Sequence, residues 1–208
     1  MNIRSLSLGP IGTNCYLLEI NKDVIIIDPG AEPEKIKAVI ASEKLNPVAI
    51  LLTHAHFDHI GAVDAIRDEY KLEVYLHVDE HKWLEDTRLN GSASLIGNGI
   101  TVREAENTLV PGKLTLGSFN FEVIHTPGHS PGSVSFLFNE EKTIVSGDVL
   151  FYEGIGRTDL FGGNYQQIEQ SIRSHFYTLS DDYIVYPGHG PKTTIGHEKV
   201  NNPFIRFN

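Results

Sequence analysis

The sequence predicts a mixed α/β fold, and three observations carry that prediction. Short apolar strands alternate with segments whose apolar residues recur at helical spacing. Four of the strands run into polar, ligand-type residues: Thr53-His54, His125-Thr126-Pro127-Gly128-His129, Ser146-Gly147-Asp148 and Pro187-Gly188-His189. Each half of the chain also reads as strands followed by a helix, which predicts a two-fold layered architecture within one domain, 1–208, with halves of about 1–107 and 108–208.

The first half opens with strands at Cys15–Ile20 and Val24–Ile27, joined by an Asn21-Lys22-Asp23 turn and ending at Asp28-Pro29-Gly30. Pro33 sits where the first turn of a helix tolerates proline, and Ile36, Val39, Ile40 and Leu45 follow at helical spacing. A buried strand at Val48–Leu52 stops at Thr53-His54. Ile60, Val63 and Ile66 predict a second helix, Glu73–Leu76 a strand, Asp79–Leu89 a helix with Trp83 as an anchor or an oligomer contact, and Gly91–Gly99 a loop. From about Thr108, strands at Phe119–Ile124, Val134–Phe138 and Thr143–Val145 precede a helix from about Gln166 to Phe176. A last strand, Tyr183–Tyr186, leads into Pro187-Gly188-His189-Gly190.

Composition narrows the class. A chain of 208 residues with 40% hydrophobic and 21% charged residues builds a core without disulfide or metal staples, so any metal serves chemistry. A net charge of -10 and the lack of a Lys/Arg run exclude nucleic acid as the main partner. The longest apolar run, Val48–Leu52, is too short to span a bilayer, and Met1-Asn2-Ile3-Arg4-Ser5 lacks the apolar stretch of a signal peptide. A cytoplasmic protein with no membrane partner is expected; its oligomeric state is open. The single cysteine, Cys15, forms no intramolecular disulfide and reads as a small buried apolar residue.

The chemistry concentrates in His54-Ala55-His56-Phe57-Asp58-His59, which places four potential ligands in six residues. Neutral imidazole and carboxylate suit zinc, iron, manganese or cobalt, and the lack of cysteine ligands argues against a closed structural zinc site. His129, Asp148 and His189 follow in rigid turns at strand ends. Together these seven residues suffice for two divalent ions if one carboxylate bridges. Arg157 follows two glycines that let backbone approach a ligand, and its guanidinium suits a substrate carboxylate; an ion pair with Asp159 is the competing reading. His77, His81, His125, His175 and His197 read as structural, with His77 and His81 expected to be exposed.

The run His54-x-His56-x-Asp58-His59, followed by a distant His, Asp and His, resembles the metallo-β-lactamase superfamily over nearly the whole chain, including the Asp28-Pro29-Gly30 turn. The resemblance implies a four-layer αββα sandwich of two facing mixed sheets flanked by helices. It implies that His54, His56 and His129 bind one metal, that Asp58, His59 and His189 bind the other, and that Asp148 bridges them. The implied cofactor is a pair of divalent ions, zinc first, with iron or manganese as alternatives. The implied reaction is hydrolysis by a hydroxide generated at the metals, with Asp58 as the catalytic residue that orients the water or takes its proton.

Within the superfamily, the segments Gly147-Asp148-Val149-Leu150-Phe151, Gly154-Ile155-Gly156-Arg157-Thr158-Asp159 and Glu198-Lys199-x-x-Asn202-Pro203-Phe204 are similar to the short bacterial type of glyoxalase II, the hydroxyacylglutathione hydrolases. That likeness implies a small anionic thioester substrate such as S-lactoylglutathione. Antibiotic-hydrolysing members generally lack a bridging aspartate, so Asp148 points away from them. The longer glyoxalase II enzymes carry a C-terminal helical domain that holds glutathione, which this sequence does not match, and Asp159 and Pro191 stand where those enzymes place tyrosines. The runner-up is an oxidoreductase resembling persulfide dioxygenases, which share the Gly-x-Gly-Arg-Thr-Asp segment. In that reading a single iron would sit on His54, His129 and Asp148.

Overall fold

A computed structural model describes residues 1–97 and 99–207. The chain divides into two compact units, Met1–Leu109 with Thr115–Asn120, and Val110–Leu114 with the residues from Phe121 onward. Among the described residues, no helix is long and apolar enough to cross a membrane.

The first unit carries a six-stranded mixed sheet in the order β1 (Asn2–Leu8), β2 (Thr13–Ile20), β3 (Asp23–Ile27), β4 (Asn46–Leu51), β5 (Val74–His77), β6 (Asn107–Leu109). The first three strands are antiparallel and β3 to β6 are parallel. Asn21 and Lys22 join β2 to β3 at φ 49° and 77°, the left-handed pair that matches the twist of a two-residue hairpin. Parallel pairing requires crossovers, and helices supply them: α1 (Pro33–Glu43) between β3 and β4, then α2 (Phe57–Ile60) and α3 (Val63–Tyr70) between β4 and β5. Pro33 begins α1, and Lys44 ends it in a left-handed conformation with its N–H on the Ala41 and Ile40 carbonyls. Ile36, Ile40, Ile60, Val63 and Ile66 from these helices pack with Leu17, Val24, Ile26, Ile50 and Val74 in one apolar core. Cys15 lies in that core with no exposed surface.

Three expectations are corrected here. The edge strand β1 precedes the strands read from sequence. The expected helix at Asp79–Leu89 is a 3-10 helix over Val78–Trp83 followed by turns. Asp86 accepts the Arg88 backbone N–H at 2.9 Å, a local side-chain bond that competes with helix continuation. The Gly91–Gly99 loop holds a short helix, α4 (Ser92–Leu95), and its residue 98 lies outside the described residues. Trp83 is a core anchor, and a fourth expectation, that His77 and His81 are exposed, is also corrected: His77 is buried with its Nδ1 accepting the Asp79 N–H to cap the 3-10 turn, and His81 is half-buried.

The second sheet runs β14 (Thr193–Thr194), β13 (Ile184–Pro187), β10 (Thr143–Gly147), β9 (Val134–Phe138), β8 (Phe119–His125), β7 (Gly112–Leu116). β8 and β10 each pair antiparallel with β9, and β13 pairs parallel with β10. Strands β8, β10 and β13 therefore point the same way, and the residues that follow them emerge at one sheet edge. A small hairpin, β11 (Leu150–Phe151) and β12 (Gly154–Ile155), follows β10. Helix α5 (Tyr165–Ser171) continues as one π turn through Ile172–Phe176 and supplies the crossover to β13. Asn164 caps α5 by accepting the Gln167 N–H. Ile168, Ile172 and Phe176 pack on Ile144, Leu150 and Val185. The strand read as last is followed by β14 and by α6 (Ile195–Asn201).

Candidate metal centre

In the first unit, β4 delivers the chain into a tight loop that holds four ligand-type residues. Gly30 is what lets that loop close: a Cβ there would sit 1.6 Å from the Asp58 carbonyl oxygen. The Asp28-Pro29-Gly30 turn thus packs backbone against backbone on the ligand loop, and Ala62 N–H donates to the Pro29 carbonyl at 2.9 Å. His54 and His59 are fully buried, and His56 is nearly so. His54 offers a ring nitrogen within 4.8 Å of one on His56 and likewise of one on His59. His59 Nε2 lies 3.4 Å from Asp58 Oδ2.

The nitrogens' roles follow from their partners. Asp28, buried at φ 51°, accepts the Thr53 backbone N–H at 2.8 Å, the Thr53 hydroxyl at 2.6 Å and His59 Nδ1 at 2.9 Å. The proton of His59 therefore sits on Nδ1, and Nε2 presents its lone pair. Thr53 has one hydroxyl proton, already given to Asp28, so at 3.1 Å it accepts from His54 Nδ1 and leaves His54 Nε2 as a donor atom for a cation. Thr13 donates its hydroxyl to Asp58 Oδ2 at 2.6 Å, which fixes that carboxylate's rotation. Glu80, fully buried, accepts the Ala55 N–H between the first two histidines.

In the second unit, His129 follows β8, Asp148 follows β10 and His189 follows β13, all at the shared edge. His129 Nδ1 donates to the Arg157 carbonyl at 2.8 Å, which again leaves Nε2 as the lone-pair nitrogen. Asp148 Oδ2 lies 3.6 Å from His129 Nε2 and 3.5 Å from His189 Nε2. These separations are longer than an ordinary N–H···O hydrogen bond. Two donors each about 2.1 Å from one ion at a tetrahedral angle stand about 3.4 Å apart, which is the spacing found in both units. The donor set fits divalent cations.

Arg157 places its guanidinium in a two-point fork on Asp159, at 2.7 and 2.8 Å, and both side chains are exposed. The arginine holds the Asp159 carboxyl down at about 2. The sequence reading missed Thr13 and Glu80, which carry no motif of their own, and saw Asp28 only as part of a turn. The apolar run Val24–Ile27 ending directly on an acidic residue was the available signal for Asp28. Asp28→Asn is expected to weaken metal affinity by about 10- to 100-fold, since one donor would then face an amide N–H. Competition with a chromogenic chelator measures this, and unchanged affinity would show that Asp28 does not orient His59.

Comparison with known proteins places these features. The model of the metallo-beta-lactamase superfamily matches residues 8–189. The chain is 46% identical over 206 residues to the probable metallo-hydrolase YqgX of Bacillus subtilis, covering 99% of this chain and 98% of that protein. It is 37% identical to the hydroxyacylglutathione hydrolase GloC of Haemophilus influenzae, covering 99% and 98%. Among solved structures, it is similar to the BLEG-1 B3 metallo-beta-lactamase, with 50% identity, a TM-score of 0.96 and coverage of 98% and 99%. It is also similar to TTHA1623 in a di-iron-bound form, with 40% identity, a TM-score of 0.88 and coverage of 97% and 100%. The two mixed sheets with their helices are those of this fold, and the chain belongs to the metallo-beta-lactamase superfamily of metal-binding hydrolases.

Proposed function

We propose that the two ligand sets together hold two divalent ions, zinc first with iron or manganese as alternatives, and that the protein hydrolyses a small anionic thioester in the cytoplasm. His54, His56 and His129 would hold one ion, Asp58, His59 and His189 the other, with Asp148 shared. The observation that carries this reading is Asp148, whose single oxygen stands nearly equidistant from two imidazole nitrogens, as a shared ligand must. The likeness to a protein named hydroxyacylglutathione hydrolase supports the thioester.

Ions in such a site, when bound, polarise a carbonyl and bring the pKa of water towards neutrality. The chain's own groups supply the remaining work. Asp58, held by Thr13, takes the proton of the attacking water on its carboxylate. Asp28, Thr53 and the Arg157 carbonyl keep three imidazoles in one tautomer, so no proton is lost to the ligands. A thiol leaves as thiolate near neutral pH and needs no strong general acid. Arg157 exchanges Asp159 for a carboxylate of the thiol carrier. Arg157→Ala should therefore raise KM for an anionic thioester by about tenfold and leave kcat within about twofold. An equal rise for a neutral thioester would remove Arg157 from the binding site.

Metal analysis of the purified protein beside a panel of thioesters with different thiols tests the reading. Two ions per chain and thioester turnover are expected. Oxygen uptake with glutathione persulfide and no thioester turnover would instead establish the mono-iron oxidoreductase on His54, His129 and Asp148. A second reading, β-lactam hydrolysis, is favoured by the 50% identity to a chain named a B3 metallo-beta-lactamase, against the argument from Asp148. A chromogenic cephalosporin hydrolysed faster than every thioester would decide for it.

A further inference from the structure

Beside the ligand loop, the first unit contains a cavity of about 100 Å³ walled by Leu8, Ile11, Ala31, Phe57, Ile96 and Ile100, with Thr13 and Asp58 at its polar edge. Thr13 donates its hydroxyl to Asp58 at 2.6 Å, and the wall side chains carry no polar atoms. Ile11 and Ile96 stand 53% and 41% exposed at the mouth, where a guest would cover them. An apolar cavity of about 150 Å³ takes a benzene-sized guest, so this one takes a chain of roughly three or four carbons. Asp58 belongs to the proposed metal centre, so an acyl chain growing from a carbonyl held there has the cavity beside it.

We infer that this cavity is the acyl subsite of the enzyme and that it selects short, unbranched aliphatic acyl groups over hydroxylated ones. The inference rests on the hydrolase reading above and deepens it. Each added methylene that enters the cavity leaves water for apolar contact, and a hydroxyl placed against its apolar wall loses its water without gaining a partner there.

The test is kcat/KM for acetyl, propionyl, butyryl, hexanoyl and lactoyl thioesters of one thiol with the zinc-loaded protein. The rate constant should rise about fourfold per methylene to butyryl, fall at hexanoyl, and favour propionyl over lactoyl by about tenfold. Ala31→Leu, which fills the cavity, should bring the butyryl-to-acetyl ratio near one. The double variant Ile11→Ala/Ile96→Ala, altered only at exposed positions, should lower the same ratio. A flat profile, a preference for lactoyl, or an unchanged ratio in these variants would overturn the subsite while leaving thioester hydrolysis standing. If no thioester is turned over, the hydrolase reading fails on its own. Titration with butyramide, acetamide and lactamide, followed on the methyl signals of Ile11, Ile96 and Ile100, still decides the subsite: selective shifts with butyramide support it, and equal or absent shifts overturn it.

Discussion

Replacing Asp148 with alanine is expected to lower kcat/KM by about a thousandfold or more and, on the proposed two-ion reading, to leave about one of two metals per chain. Asp148 leaves β10 just past a register shift between Val145 and Gly147, which turns its carboxylate away from the ladder with β13. It is 8% exposed and stands between two imidazoles that both present Nε2. Alanine would remove the proposed shared ligand and one negative charge that would offset the two cations. The metal-free protein should lose little stability, because a buried carboxylate without its cations is itself costly. Metal content by mass spectrometry and chemical denaturation of the metal-free forms separate the two effects. A variant that kept two ions and a tenth of the activity would refute the bridging role.

Gly156→Ala is expected to destabilise the protein by about 3 kcal/mol or more and to abolish activity, though Gly156 is no ligand. A Cβ at Gly156 would lie 1.9 Å from the Asp148 carbonyl oxygen and 3.2 Å from His129 Cβ. Its own N–H donates to the Val149 carbonyl at 3.1 Å, so the backbone cannot step back without losing that bond. One methyl therefore displaces two of the proposed ligands. A shifted denaturation midpoint with reduced metal content is the expected signature, and a midpoint within experimental error of the native one would contradict the packing argument.

The candidate ligand residues were legible because metal chemistry demands rare residue types, and four of them crowd into His54 to His59. The central strands were legible for a related reason: Val24–Ile27 and Val134–Phe138 are buried on both faces and so read as apolar runs, the second broken only by Ser135. Where burial is one-sided or pairing brief, the signal fades. In β1, Arg4, Ser5 and Ser7 interrupt the apolar positions of an edge strand, and β11, β12 and β14 are two residues each. The segment after Trp83 has helical spacing, yet Asp86 draws its backbone into a turn. Supporting residues were the least legible. Thr13, Asp28 and Glu80 act through hydrogen bonds to residues far along the chain, and such partnerships leave no spacing to read.

Cys15 sits on β2 with no exposed surface, and burial pushes its thiol far above the ordinary cysteine range, with Asp28 adding to the effect. Disulfide exchange and alkylation both need the thiolate and a path for the reagent. The folded protein should therefore tolerate a solution rich in free thiols and their disulfides without forming adducts. On the proposed thioester hydrolysis, disulfides of the released thiol would find no thiolate here to exchange with, and the protein should remain unmodified by iodoacetamide until it unfolds.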